Sequence, residues 1–389
     1  MKSFLKNNIS DHFLKVLGLF LVWRFLLVIF LLIAINFIPL HFTDKFLGGG
    51  PTNYHLSPYL FSWANFDGEH YLSISIFGYK NLEQAFFPVY PALISFFAEP
   101  LSKDIFSALM FSTLVGIIIS NLSFILALLL LFELVLMDFS RKIAYSTIIL
   151  ILIFPTSFYF GSVYNESLFL LLTVGSFYAA RKQKWWIAGI LGALSSATRV
   201  FGVLLLPALI IEAWQQKGSK KDFLWLLLVP IGLLSYMAYQ WVTVGDPITF
   251  YRLQKIVGEQ HQSGITLLPQ VLFRYIKMLI AVDFNNPIYQ TILLEFIVGI
   301  AFFLLPIYGY FKKIRLSYLF FALFGFLTPS IQGSLSSVPR YILIFFPSFI
   351  ALTILINSFP KWVKVFVLSV LFFWLAVETM LFLRGYWIA

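Results

Sequence analysis

Two carboxylic acids and a histidine stand almost adjacent in Trp63-Ala64-Asn65-Phe66-Asp67-Gly68-Glu69-His70-Tyr71, and His55 lies a little upstream, in a polar stretch of an otherwise apolar chain. A carboxylate in such a water-facing loop can accept a proton from a hydroxyl, so Asp67 is the candidate general base. Three more ionisable residues interrupt apolar surroundings: Glu166 in Tyr164-Asn165-Glu166-Ser167, Arg199 after Thr198, and Arg340 after Pro339. Charged groups within apolar segments are costly and commonly mark a functional path. A guanidinium matches phosphate oxygens with paired hydrogen bonds, which makes Arg199 and Arg340 candidate phosphate ligands. One base with two phosphate ligands suits an inverting displacement in which a hydroxyl attacks a sugar and a lipid phosphate leaves. Glu69, His70, Glu166 and Tyr341 are the candidate substrate contacts.

Each of these residues also has a structural alternative. Asp67 could cap a helix, and Glu69 could offset that helix's dipole. Glu166 could cap or could pair with Arg199, and either arginine could be a structural ion-pair partner. Arg24, inside the first apolar run, could snorkel. Lone histidines such as His55 and His261 carry little weight. Cysteine is absent, so thiolate chemistry and disulfides are excluded, and no metal-ligand spacing is present. No cofactor is expected.

The elements that must hold these residues are transmembrane helices. Of 389 residues, 60% are hydrophobic and 11% charged, a balance that excludes a soluble domain. Apolar runs near 14–40, 108–134, 143–161, 166–180, 186–198, 201–213, 223–244, 288–310, 317–331, 340–358 and 363–383 predict an all-α polytopic membrane protein of about 11 transmembrane helices. The runs 186–198 and 201–213 are each too short to cross a hydrocarbon layer of about 30 Å. Together they predict a hairpin turning at 198–202, with Arg199 at its tip.

The charge pattern favours that hairpin. With the N-terminus inside, the inner segments hold Lys2, Lys6, Lys15, Arg141, Lys142, Arg181, Lys182, Lys184, Lys217, Lys220, Lys221, Lys312, Lys313, Arg315, Lys361 and Lys364, which is 16 of the 27 basic residues. Every inner loop obeys the positive-inside rule only if the hairpin exists. The net charge of +10 therefore reports topology, not nucleic-acid binding. The chain reads as a single domain over 1–389 with outer loops at 41–105 and 245–287. In the first loop a helix is expected from Asp67 to about Phe77, lying at the interface with its N-terminus exposed. The strip Phe86-Phe87-Pro88-Val89-Tyr90-Pro91 would brace it, and an amphipathic stretch near 267–282 would lie at the interface in the second. Arg340 is expected at the outer start of a span, where free backbone N–H groups favour an anion.

In their order along the chain, several pieces resemble one family. Asp67-Gly68-Glu69-His70-Tyr71-Leu72, Gly78-Tyr79 and Phe86-Phe87-Pro88-Val89-Tyr90-Pro91 look like the first-loop signature of PIG-V-like mannosyltransferases of the GT-C superfamily. Tyr164-Asn165-Glu166-Ser167-Leu168-Phe169, Ala197-Thr198-Arg199 with Gly202, and Pro339-Arg340-Tyr341 are similar to the same family. The chain departs from the pattern at Phe66, where the family usually has Trp, and at Ser75. The resemblance implies a GT-C helical bundle, a polyprenyl- or dolichyl-phosphate sugar donor, a lipid-linked or glycan acceptor, Asp67 as catalytic base and inversion at the sugar. It implies an extracytoplasmic active site. The short basic N-terminus favours a bacterial plasma membrane over the endoplasmic reticulum.

Other classes make different demands. A transporter or lipid flippase needs polar groups along a path through the bundle, whereas the inner halves of these spans are almost purely apolar. A non-catalytic assembly protein would leave the outer charges as solvated surface. A partner subunit is compatible with all three.

Overall fold

The computed structural model describes residues 2–41, 47, 49–257, 266–286 and 288–388; all regular structure among them is helical. In chain order the helices are α1 Lys2–Phe37, α2 Pro51–Leu56, α3 Pro58–Phe61, α4 Asp67–Phe77, α5 Val89–Ala98, α6 Ile105–Leu136, α7 Arg141–Leu152, α8 Glu166–Arg181, α9 Trp185–Thr198 and α10 Leu205–Gln215. They continue as α11 Lys220–Leu226, α12 Ile231–Val244, α13 Thr249–Val257, α14 Leu268–Ala281, α15 Ile288–Phe311, α16 Leu316–Ser330, α17 Val338–Tyr341, α18 Phe346–Ser358 and α19 Lys361–Leu383.

Five segments are long and apolar enough to cross a membrane: His12–Phe37, Ile105–Leu136, Lys220–Val244, Ile288–Phe311 and Lys361–Leu383. A sixth is broken, with Val338–Ile344 and Phe346–Ser358 meeting at 95°. Among the described residues these five or six do not confirm the expected count of about eleven, which included the two part-way helices of the hairpin. Helices α7, α8, α9, α10 and α16 have only 12, 16, 14, 11 and 15 residues, short of the ~20 that a crossing needs. The reason is that hydropathy does not register breaks in the backbone. The apolar run 143–161, for instance, stops being α-helical at Leu152, ahead of Pro155, and resumes as a 3-10 turn at Ser157–Gly161. Such breaks survive only where side chains or neighbouring backbone satisfy the freed polar groups.

The hairpin is found. Helix α8 runs from Glu166 to Arg181, and its two ends are matched by the two arms that follow. Arg199, after α9, pairs with Glu166 at one end, and Glu212 of α10 reaches Arg181 at the other, with N···O distances of 2.8 and 3.6 Å. The chain thus climbs along α8 and returns within the short helices. At the tip, Gly202 folds back so closely on α9 that a Cβ there would lie 2.3 Å from the backbone nitrogen of Ser196.

Helix α4 begins and ends as expected, with Gly78 at φ 73 closing it. Its apolar side is packed against protein, however: Gly68, Tyr71, Leu72, Ser73, Ile74 and Ser75 are all buried. Its packing against Tyr90 and Ile94 of α5 and Leu109 of α6 forms a second apolar core beside the main one. The aromatic strip does brace this region. Phe86 stacks on His70 with centroids 4.7 Å apart, and Phe87 packs on Tyr236 and Phe250. In the second loop, α14 buries Leu268, Val271 and Tyr275 and exposes Phe273, Ile276 and Ile280. That one-sided apolar exposure is the mark of an interfacial helix.

Candidate active site

Asp67 follows a residue in a rare backbone conformation. Phe66 has φ 59 and ψ −120, a conformation that L-residues seldom adopt and that costs on the order of 1–3 kcal/mol. Its neighbours hold it there. Asn65 Nδ2 donates to Phe382 O at 2.8 Å, Tyr164 Oη donates to Asn65 O at 2.8 Å, and Val163 N donates to Trp63 O at 2.8 Å. The Phe66 ring meets Trp387 edge-on at 5.5 Å. Asp67 then occupies the first helical position of α4, and no side chain caps that helix. The carboxylate is used elsewhere: Oδ2 accepts a hydrogen bond from Arg340 Nη1 at 2.7 Å.

Glu166 opens α8 in the same manner, after the N-cap residue Asn165 and without a side-chain cap. Its Oε1 accepts from Arg199 Nη1 at 2.8 Å and lies 3.6 Å from Arg340 Nε, an ion-pair separation too long for a hydrogen bond. Asn165 supports the pair from both sides, with Nδ2 donating to Thr198 O at 3.0 Å and Oδ1 accepting from Arg199 Nη1 at 3.3 Å. Arg199 itself is extended, with φ −161, between α9 and the turn at Val200–Leu204.

Arg340 is not at the start of a long helix, as the sequence suggested. It sits in the single turn α17, ahead of the 95° bend into α18, so a helix dipole supplies nothing to an anion there. Thr156 Oγ1 anchors this turn by donating to Pro339 O at 2.6 Å. The guanidinium lies over the rings of Tyr159 and Tyr164, each 5.6 Å away. Tyr341 stands within 5.0 Å of both Arg340 and Arg199, a ring shared by two cations. Such contacts contribute roughly 0.5–2 kcal/mol each.

Four ionisable groups thus form one chain of contacts, Asp67–Arg340–Glu166–Arg199, with two positive and two negative formal charges. Exposure is greatest at its start and least at Glu166: the side chain of Asp67 is 28% exposed, that of Arg340 9%, that of Glu166 2% and that of Arg199 12%. Solvent therefore reaches the cluster at the Asp67 end. Donor capacity remains: among the described residues Arg199 bonds only through Nη1, and Arg340 Nη2 has a single long contact of 3.4 Å to Tyr341 Oη. Tyr71, on α4, has its phenol held well above the usual range by burial and, next, by the charge of Glu166. It stands beside the cluster as a neutral ring.

The remaining candidates lie elsewhere. Glu69 turns to Leu47, whose backbone N–H donates to Oε2 at 3.1 Å, and His70 stacks on Phe86. His55 is exposed on α2, and His261 falls outside the described residues. Arg24 donates to Gly161 O at 3.2 Å and lies 4.3 Å from the Trp63 ring, a structural setting behind the loop that carries Asp67. No group of three or more His, Asp and Glu able to hold a metal occurs among the described residues. Sequence reasoning passed over Asn65, Thr156, Tyr159 and Glu295. Only Glu295 carried a signal, as an acid inside an apolar span.

Residues 10–219 match the sequence family described as Mannosyltransferase (PIG-V). The chain belongs to that family. It is accordingly a membrane glycosyltransferase, and the transporter, flippase and assembly-protein alternatives are set aside. The matched part of this PIG-V-family transferase includes Asp67, Glu166 and Arg199, while Arg340 and Tyr341 lie beyond it. No curated protein matches the chain. Among solved structures, this PIG-V-family chain is similar to the oligosaccharyltransferase of Archaeoglobus fulgidus crystallised with a tethered acceptor peptide. The two share 14% identity with a TM-score of 0.45, over 96% of this chain and 55% of that one. The chain spans about half the length of that protein.

Proposed function

We propose that this glycosyltransferase moves a sugar, mannose in the first instance, from a polyprenyl- or dolichyl-phosphate donor to a lipid-linked or glycan acceptor, with inversion. The observation that carries this reading is the position of Arg340, in contact with the proposed base Asp67 and next to the Glu166–Arg199 pair. The acceptor oxygen bonds to the anomeric carbon as that carbon's bond to the phosphate oxygen breaks, and the acceptor proton passes to Asp67. Asp67 thereby loses a negative charge while the leaving phosphate gains one. Arg340 touches the first and has donors left for the second, so charge moves across a fixed guanidinium without leaving it uncompensated. Arg199 supplies the second phosphate contact, and Tyr341 holds the two guanidinium planes.

Glu166 supports this arrangement as a bridge between the arginines. Glu69 and His70 are better placed to shape the loop than to touch the reacting atoms, Glu69 through Leu47 and His70 through its stack on Phe86.

The depth of the cluster suits a lipid-borne donor. Glu166 and Arg181 bound the 16 residues of α8, so the cluster lies about 22 Å from the Arg181 end by helical rise. A hydrocarbon layer is about 30 Å thick. If the basic Arg181 end marks the cytoplasmic surface, the cluster sits within the extracytoplasmic leaflet, where a polyprenyl phosphate can enter sideways. A bacterial plasma membrane is the proposed location.

The test is to reconstitute the purified protein with polyprenyl-phosphate mannose or with a nucleotide sugar, supply membrane lipid extract as acceptor, and identify products by mass spectrometry. Transfer from the lipid donor alone is expected. Transfer from the nucleotide sugar alone would sink the proposal.

A further inference from the structure

Arg340 depends on a turn that the chain would not adopt unaided. Ser337, the residue at which the turn begins, is left-handed at φ 61 and ψ 5, a conformation that costs a non-glycine residue on the order of 1–2 kcal/mol. Something must hold it there.

Glu295 of α15 does so. Its Oε1 accepts from the backbone N–H of Ser337 at 3.1 Å, and its Oε2 accepts from the hydroxyl of Tyr275 at 2.7 Å. That hydroxyl in turn accepts from the backbone N–H of Leu335 at 3.1 Å and lies 3.3 Å from Ser334 Oγ. Both side chains are buried. Two backbone donors of the turn are thus satisfied, one directly by the carboxylate and one through the phenol. An acid deep in an apolar helix is expensive, and an aliphatic side chain of equal size would pack more cheaply. What only the carboxylate supplies is acceptors at the foot of the Arg340 turn. Tyr275 belongs to α14, whose opposite face is the exposed apolar one, so the clamp also ties Arg340 to the interfacial helix.

We propose that Glu295 and Tyr275 are positioning residues that hold the Ser334–Ser337 turn and so set the affinity of Arg340 for the phosphate of the lipid donor. The inference rests on Arg340 being a phosphate ligand, as argued above. Neither residue touches the reacting atoms. Their loss should therefore raise the donor KM by a larger factor than it lowers kcat, because Arg340 keeps its contact with Asp67 while its hold on the phosphate loosens, a split that a merely structural role would not produce.

The experiment compares full-length Glu295→Leu, Glu295→Gln, Tyr275→Phe and Arg340→Lys, each reconstituted with polyprenyl-phosphate mannose, reading donor KM, kcat and thermal midpoint. Arg340→Lys is expected to raise the donor KM about tenfold or more through loss of charge-assisted hydrogen bonds. Glu295→Leu and Tyr275→Phe should raise it several-fold, with a smaller fall in kcat. Glu295→Gln, which keeps one acceptor for Ser337, should fall between. Adding Glu295→Gln to Arg340→Lys should raise KM no further, because both act through one guanidinium. Should Glu295→Leu fail to fold, Glu295→Gln and Tyr275→Phe carry the test. A lowered midpoint with unchanged donor KM in these variants, while Arg340→Lys raises it, overturns the positioning role alone. An unchanged KM in Arg340→Lys removes the phosphate-ligand reading and this inference with it.

Discussion

Asp67 Oδ2 and Arg340 Nη1 lie 2.7 Å apart although 273 positions separate the two residues in the chain. The contact joins the first loop to the segment just before α18, so the folded bundle, and not the local sequence, assembles the site. It also explains why Asp67 does not cap α4 despite standing in its first turn. Phe66 holds the N-cap position, and the Asp67 carboxylate, one residue on, is turned to the Arg340 guanidinium.

Replacement of Asp67 by Asn is expected to preserve the fold and reduce kcat by about 100-fold or more, the usual contribution of a positioned base. Donor KM should change little, since Arg340 and Arg199 remain. Steady-state transfer assays across donor concentration check this. Near-normal turnover in the Asn variant would remove Asp67 from the catalytic role.

Tyr341 separates packing from hydrogen bonding. Its ring lies 5.0 Å from each guanidinium, whereas its hydroxyl makes only a 3.4 Å contact with Arg340. Tyr341→Phe should therefore behave almost as the wild type. Tyr341→Ala, losing contacts of roughly 0.5–2 kcal/mol each, should weaken donor binding noticeably. Titration with a non-hydrolysable lipid-phosphate analogue gives the comparison, and equal affinities for the two variants would contradict the shared-ring arrangement.

Glu166 is the most deeply buried member of the cluster, with its side chain 2% exposed beside an Arg199 side chain 12% exposed. Removing its charge leaves two guanidinium groups facing each other without a bridging acid. Breaking a buried pair of this kind typically costs about 3–5 kcal/mol. Glu166→Gln is thus expected to lower the thermal midpoint in detergent by several degrees. A midpoint equal to that of the wild type would show that Glu166 is dispensable to the bundle.

The four charged residues of the cluster were visible in the sequence because each interrupts an apolar or turn-rich stretch. Their mutual contacts were less so. The bridge between the arginines, the Tyr159 and Tyr164 rings around Arg340 and the Thr156 anchor involve residue types found throughout the chain, which holds 19 tyrosines and 46 phenylalanines. Glu295 differed only in standing alone within a span, with no neighbouring motif to suggest its partner. Helix α4 was legible from its first acid to its closing glycine, but its burial depends on α5 and α6, which its own residues do not encode. The span count of about eleven is not confirmed for a related reason. Apolar composition persists through the breaks after Leu152 and at Phe345, where the chain turns through local backbone and side-chain hydrogen bonds such as Phe154 N to Ile151 O, Ser157 Oγ to Leu152 O and Phe345 N to Ile342 O, none of which hydropathy registers.

Gly202 tests the geometry of the hairpin that carries Arg199. A Cβ added there would stand 2.3 Å from Ser196 N and 2.4 Å from Ser195 C, both backbone atoms that cannot rotate away. Gly202→Ala must then push the turn off α9, a cost above the roughly 1–3 kcal/mol of ordinary overpacking. Arg199, whose carbonyl accepts from Gly202 N at 2.9 Å, would move with the tip and lose its alignment with Glu166. The expected outcome is a protein that still inserts with the same topology, scored by accessibility of cysteines introduced into the loops, but transfers sugar far more slowly. Wild-type transfer by Gly202→Ala would mean that the hairpin tip has slack and that Arg199 does not require this close approach.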